Sequence, residues 1–265
     1  MLRNPALSIL FCVPLCWQVP AQGDELKTVD EVIAKHIEAM GGRKALDSVK
    51  TMRMAGKSIM GGGMEAPLTI EFKRPNKVRV EFTFQGMTGI QAFDGKTGWF
   101  IMPFMGKTDP EKMSSDQVEA IEDQADFEGP LVDYKKKGHQ VELIGKEEFE
   151  GSDAYKLKIT KKGGAVEYHY LDAEYFLTTK MKGKRKFQGT EIEYEIGFGD
   201  FKKVGGLMFP HSIQQGSMGA GAMVFEKIEV NVKLPDDRFT MPEIKKEEAP
   251  KEDVEKTKEE KTGGD

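Results

Sequence analysis

Apolar and polar residues alternate along this chain with two different periods. Val29, Ile33, His36, Ile37 and Met40 recur at steps of three and four, which places them on one face of a helix. Thr28-Val29-Asp30-Glu31 reads as its start, because the Thr28 hydroxyl and the Glu31 carboxylate can each satisfy an open helix-end amide. Gly41-Gly42 supplies the left-handed exit, and a short turn from Arg43 to Ser48 follows. From about Lys50 the period falls to two. Leu68, Ile70 and Phe72 alternate with Thr69, Glu71 and Lys73; Val78, Val80, Phe82 and Phe84 alternate with Arg79, Glu81 and Thr83.

Pro75-Asn76 and Asp94-Gly95 are the turns beside these strands. One helix interrupts them, opened by a second capping box at Ser114 and Gln117, with Val118, Ile121 and Ala125 as a narrow apolar stripe. Strand patterns resume at Val141 to Ile144, Tyr155 to Ile159, Val166 to Tyr170, Tyr175 to Leu177, Ile192 to Phe198, Leu207 to Ile213 and Val224 to Val232. The spacing predicts ten or eleven strands. With two or three helices and no βαβ alternation, the expected class is α+β: one large curved antiparallel sheet, a half-open β-barrel whose open side the helices cover.

Composition changes the picture at the two ends. Arg3, the apolar run Ala6 to Trp17, and Val19-Pro20-Ala21 follow the order of a secretory signal, so residues 1–21 are expected to be removed after Ala21. Both cysteines, Cys12 and Cys16, fall inside that segment, leaving a mature chain without thiol chemistry; neither is preceded by the small residue that acylation requires. Residues 243–265 lack aromatics and consist mostly of Lys, Glu, Pro, Thr and Gly, the make-up of a charged disordered tail. The body, residues 22–242, keeps 32 basic and 35 acidic residues. Such near-neutrality argues against a nucleic-acid partner.

Candidate chemistry is sparse. The four histidines form no His-x-x-x-His or His-Glu-x-x-His pair; His36 and His211 read as hydrogen-bonded histidines at the core edge, His139 and His169 as residues of polar turn or strand faces. Glu119, Glu122, Asp123 and Asp126 read as a solvated helix face. Gly61-Gly62-Gly63 and the glycines from Gly216 to Gly221 lack phosphate-cradling patterns, and no G-x-S-x-G elbow or Ser-x-x-Lys pair is present, so no enzyme and no metal or cofactor is expected. Met52, Met54, Met60 and Met64 crowd the first hairpin and Met102-Pro-Phe-Met105 another; without interleaved histidines they read as soft apolar lining rather than a copper site.

The body resembles the outer membrane lipoprotein-sorting, LolA-like, family of periplasmic proteins. The resemblance runs from about Thr28 to Met241. It is carried by Ala34 to Gly42 opening into Leu46 and Val49, Phe72-Lys-Arg-Pro-Asn76 with Arg79-Val80, Asp94-Gly95 with Gly98-Trp99, Tyr168 to Leu171, Gly206-Leu-Met-Phe-Pro210 and Pro235-Asp-Asp-Arg-Phe239. It implies a periplasmic, noncatalytic protein that binds and transports lipoprotein acyl chains or other lipids in an apolar half-barrel cavity. Inner-membrane donor and outer-membrane acceptor proteins are the implied partners, and an early-strand arginine, Arg53 or Arg79, is implied to hold the helical lid. The alternative is an envelope sensor or chaperone-like module recognising lipidated or misfolded polypeptides. Leu68, Ile70, Phe72, Val78, Val80, Phe82, Phe84, Trp99, Tyr168, Tyr170, Tyr194, Ile196 and Phe209 are the expected cavity-lining residues.

Overall fold

A computed structural model describes residues 26–149, 151–187, 190–216 and 221–243. The signal segment, its cleavage after Ala21 and the tail beyond Glu243 lie outside the described residues.

The chain opens with α1 (Val29–Ala39), capped as the sequence predicts: the Glu31 amide donates to Thr28 Oγ1 (3.2 Å), and the Thr28 amide donates to Glu31 Oε2 (3.0 Å). Gly41 leaves the helix at φ +121°, and a Cβ built there would stand 2.2 Å from the Gly206 carbonyl oxygen, so only glycine permits this approach. After α2 (Arg43–Ser48) come β1 (Thr51–Met60), β2 (Met64–Lys73), β3 (Lys77–Phe84), β4 (Met87–Phe93), β5 (Gly98–Met102) and β6 (Lys107–Lys112). Two helices, α3 (Ser115–Ala125) and α4 (Tyr134–Lys137), then precede β7 (Gln140–Phe149), β8 (Ser152–Thr160), β9 (Val166–Asp172), β10 (Thr178–Phe187), β11 (Thr190–Val204), β12 (Leu207–Gly216) and β13 (Gly221–Val230).

All thirteen strands form one antiparallel sheet, open between its edge strands β6 and β7. Neighbours in sequence are neighbours in space, except that β1 pairs with β13, Met52 facing Val230. The half-open, helix-covered barrel is therefore present, with two strands the alternation did not reveal. Lys107–Lys112 and Thr178–Phe187 carry too many polar residues for a period of two to stand out, and the expected strand Tyr175 to Leu177 is instead the turn between β9 and β10.

The two faces of the sheet are covered differently. On one, the helix face, Leu46 and Val49 pack with Met52, Met54, Leu68, Leu207, Phe209, Phe225 and Ile228. Val32 and Ile33 of α1 pack with Tyr155, Leu157, Ile159 and Leu171, and Ile121 and Ala125 of α3 pack with Val78 and Phe93. On the other face, residues 231–239 return as a strap across β1 to β5. Trp99 Nε1 donates to the Phe239 carbonyl (2.7 Å), Lys73 Nζ to the Leu234 carbonyl (2.8 Å) and Arg79 Nη1 to the Arg238 carbonyl (2.7 Å).

Beneath the strap, Glu71 has a side chain only 2% exposed, and it accepts from Arg53 Nε (2.8 Å) and Arg238 Nε (2.6 Å). The register Arg53, Glu71, Arg79, Ala92, Trp99 across β1 to β5 places all five on the strap face. Neither Arg53 nor Arg79 therefore holds a helical lid. The helical segments are joined instead by Arg74, whose guanidinium donates to the Leu46 and Val49 carbonyls and to Glu128 Oε1 (2.6 Å), and lies 4.8 Å from the centre of the Phe127 ring. It joins the end of α2 to the segment after α3.

Candidate functional site, an apolar trough under the helices

The helix face of β1 to β5 is built by cross-strand rows. Met54 faces Ile70, which faces Val80; Leu68 faces Phe82, which faces Gly89. Burial is lost along β3. Val78 is completely buried under α3, Val80, Phe82 and Phe84 are half-buried, and Met87 beyond the turn is exposed. The cause is the position of α3. Its Val118, with Met113 just before it, touches the site of Gly98, and Ile121 and Ala125 sit on Val78 and Phe93, all at one end of these strands. At the other end no α-helix of the described residues covers Phe82 and Phe84. Instead Phe104, carried on the turn after β5, lies 5.3 Å from the Phe82 ring and 6.0 Å from the Phe84 ring. Ile70, Phe72, Phe82, Phe127, Ile213 and Met223 are half-buried against the buried core of Leu46, Val49, Met54 and Leu68. The result is an apolar trough closed at the α3 end and open at the hairpin end.

Ten of the thirteen expected lining residues stand on the helix face. Leu68, Val78 and Phe209 are buried in its floor, and Ile70, Phe72, Val80, Phe82 and Phe84 form the half-buried part; Tyr194 and Ile196 lie on the same face in the β11 region. Trp99, Tyr168 and Tyr170 do not belong with them. Trp99 is sealed under the strap beside Arg79 (5.6 Å from guanidinium to ring centre). Tyr168 and Tyr170 pair with Lys156, Lys158, Lys180 and Lys182 on the face away from α1, with Lys156 Nζ 5.5 and 5.3 Å from the two ring centres. Phe104, Phe127 and Met223 were not singled out in the sequence; Phe104 stands in the Met102-Pro-Phe-Met105 run whose apolar character was the available signal.

The tyrosines turn outward because β9 turns its polar residues inward. Glu167 and His169 are both buried on the helix face, His169 Nε2 lying 3.0 Å from Glu167 Oε1, so His169 is not on a polar face as expected. Tyr194 donates to Glu167 Oε2 (3.0 Å), its ring crossing the space left open by Gly183. Lys161 bridges Glu167 (2.9 Å) and Asp123 of α3 (2.9 Å), tethering that helix to the sheet. Burial would raise the Glu167 carboxyl, but His169 and Lys161 outweigh it and hold it down at about 2, while burial and the Glu167 charge push the Tyr194 hydroxyl up. A tyrosine that holds its proton more tightly is the reverse of an activated nucleophile.

His36 of α1 donates from Nδ1 to the Phe176 carbonyl (2.8 Å) with its ring buried, which lowers its pKa to about 4. His211 bonds the Phe225 carbonyl in the same way (2.7 Å). Because the folded pKa of His36 lies below the unfolded value near 6.5, only the unfolded chain takes up its proton between pH 6.5 and pH 4, and stability falls as pH drops through that window. Urea melts at pH 7 and pH 5 are expected to differ by about 2 kcal/mol from this group. His36→Gln should flatten that step; Glu167 adds little between pH 7 and pH 5, because its own contribution is lost only as the unfolded carboxyl protonates near 4.5 and below.

A second recess, about 580 Å³, lies on the face away from α1, between Asp153, Asp172, Lys180, Glu195, Ser212 and Gln214. Its charged and amide lining suits polar solutes and not acyl chains. Among the described residues no three His, Cys, Asp or Glu side chains are grouped to hold a metal ion, and no helix is long and apolar enough to cross a membrane.

The sequence matches no protein-family model and no curated protein. Solved structures resemble it in fold. A LolA superfamily protein from Nitrosomonas europaea is 15% identical with a TM-score of 0.54, the match covering 81% of this chain and 98% of that one. A DUF1329 family protein from Desulfovibrio piger is 12% identical, TM-score 0.56, covering 80% and 97%. A domain ascribed to outer membrane lipoprotein sorting, from Vibrio parahaemolyticus, is 11% identical, TM-score 0.52, covering 79% and 94%. The chain has a LolA-like fold.

Proposed function

We propose that this chain binds acyl chains of lipids or lipoproteins in the trough, without catalysis, and carries them across the periplasm between inner-membrane donors and outer-membrane acceptors. The observation that carries the reading is the burial gradient along β3. A row of large apolar side chains runs from a sealed end at Val78 to an uncovered end at Phe84, and a core residue would have no reason to be left half-wet.

The likeness in fold to a LolA superfamily protein and to a domain ascribed to lipoprotein sorting supports it. So does the energetics: roughly ten methylenes removed from water supply about 8 kcal/mol before the cost of association, enough for a reversible carrier that uses no covalent chemistry. Methionines near the hairpin end that are not exposed, Met60 and Met102, give walls that adjust to chains of different shape. Native mass spectrometry of the protein purified from the envelope of its own cells is expected to show coeluting acyl-bearing species. A ligand-free spectrum under conditions that preserve known lipid complexes would remove the reading.

A further inference from the structure

The uncovered end of the trough is bounded by three hairpin turns, β1 to β2, β3 to β4 and β5 to β6, which the alternating strand directions bring to the same end of adjacent strands. Each carries a methionine that a soluble surface does not call for: Met64 is 49% exposed, Met87 37% and Met105 67%. The turns themselves, Gly61-Gly62-Gly63, Gln85-Gly86 and Gly106, carry no charge, and a Cβ added at any of their glycines would meet nothing within 4 Å, so the tips project free of the rest of the molecule. Behind them Phe84, Phe104 and Phe82 continue the apolar surface without a break into the trough. The charges beside the tips neutralise one another: Glu65, next to Met64, pairs with Lys57 (2.7 Å), and Lys107, next to Gly106, pairs with Glu111 (2.5 Å).

We propose that these three tips form a docking rim that enters the interfacial region of a lipid bilayer, so that the open end of the trough meets the membrane. The inference rests on the acyl-chain reading of the trough. A bilayer fits this rim better than a folded protein does. Three separate strand ends present flexible methionines and open glycines rather than rigid aromatic or arginine anchors, whereas an interfacial lipid layer needs only apolar points without net charge. Because the flanking ion pairs cancel, docking is driven by apolar contact and should depend little on lipid charge.

The test compares the parent chain with a Met64→Ser, Met87→Ser, Met105→Ser variant, all exposed positions whose change should leave folding intact. Two readouts are needed: flotation with phosphatidylcholine vesicles, and binding of a fluorescent fatty acid in vesicle-free solution. The parent should float, the variant should float at least about tenfold less, and both should bind the fatty acid alike, because three partly exposed methionines are removed from the contact and none from the trough floor. Addition of phosphatidylglycerol should change flotation of the parent less than about twofold. A parent that does not float, or a variant that floats equally well, overturns the rim. So does light scattering that reveals a parent dimer abolished in the variant, which would assign the tips to a second copy. If parent flotation depends on the methionines while neither protein binds the fatty acid, the rim stands and the trough reading fails.

Discussion

Replacing Phe82 by Asp is expected to lower affinity for a fluorescent fatty acid roughly a hundredfold, because it removes a large apolar wall and sets a carboxylate where acyl methylenes would lie. Phe82 is half-buried, and Gly89 faces it across β3 and β4, so the new side chain has access to water at the open end and the fold should survive. Thr83 is the matched control. It is the next residue of the same strand, faces the opposite side, and bonds Thr88 Oγ1 at 3.0 Å. Thr83→Asp should bind as the parent does. Equal binding by both variants, each with a cooperative melt, would mean that this strand faces no lipid. Arg79→Asp would be a poor control despite also facing away, since Arg79 donates to Glu81 (2.6 Å) and to the strap.

The second large effect is on stability. Glu71→Ala should cost about 3 kcal/mol, because it removes the buried carboxylate shared by Arg53 and Arg238 and leaves Arg238 only Glu81 (3.1 Å). In a domain of this size that corresponds to a fall in Tm of roughly 6–12 °C, read by calorimetry or circular dichroism. The informative companion is the triple change Arg53→Met, Glu71→Leu, Arg238→Met, in which no charge is stranded. It should recover most of the loss. If Glu71→Ala melts with the parent, the strap is held by its other contacts, Trp99 to Phe239, Lys73 to Leu234 and Arg79 to Arg238, and the buried carboxylate contributes nothing measurable.

The alternation in β2 and β3 was legible because only one face there is apolar. Leu68, Ile70, Phe72, Val78, Val80, Phe82 and Phe84 needed only a period of two and a common side. The same rule misplaced Trp99, where the strap covers the second face of the sheet, and Tyr168 and Tyr170, where polar residues take the inner side. Trp99 is buried by residues 231–239, a segment whose docking depends on contacts more than a hundred residues away in sequence. Tyr168 and Tyr170 share parity with Val166, yet Glu167 and His169 take the inner side, since each satisfies the other and Lys161 and Tyr194 complete the set. Nothing local announces that arrangement. Polar residues look outward until their partners from β8, β11 and α3 are brought together. The arginine that fastens the helices was hidden for a related reason. Arg53 and Arg79 stand in alternating strands and invite attention, whereas Arg74 lies in a turn and two of its partners are backbone carbonyls, which leave no mark in the sequence, the third, Glu128, being 54 residues away.

The pairing of β1 with β13 sets the order in which such a chain can fold. Every other strand pair adjoins in sequence, so β1 to β6 and β7 to β13 can each grow by local hairpin closure. The seam between them joins Met52 to Val230 and must wait until both half-sheets exist, since closing so long a loop loses chain entropy that no neighbouring contact has yet offset. The seam is therefore the late, slow event. Weakening the β1–β13 register should slow folding, while loosening the peripheral β7–β8 hairpin should chiefly hasten unfolding. The strap crosses from the end of β13 onto β2, β3 and β5 and acts as the latch that keeps the two half-sheets from parting.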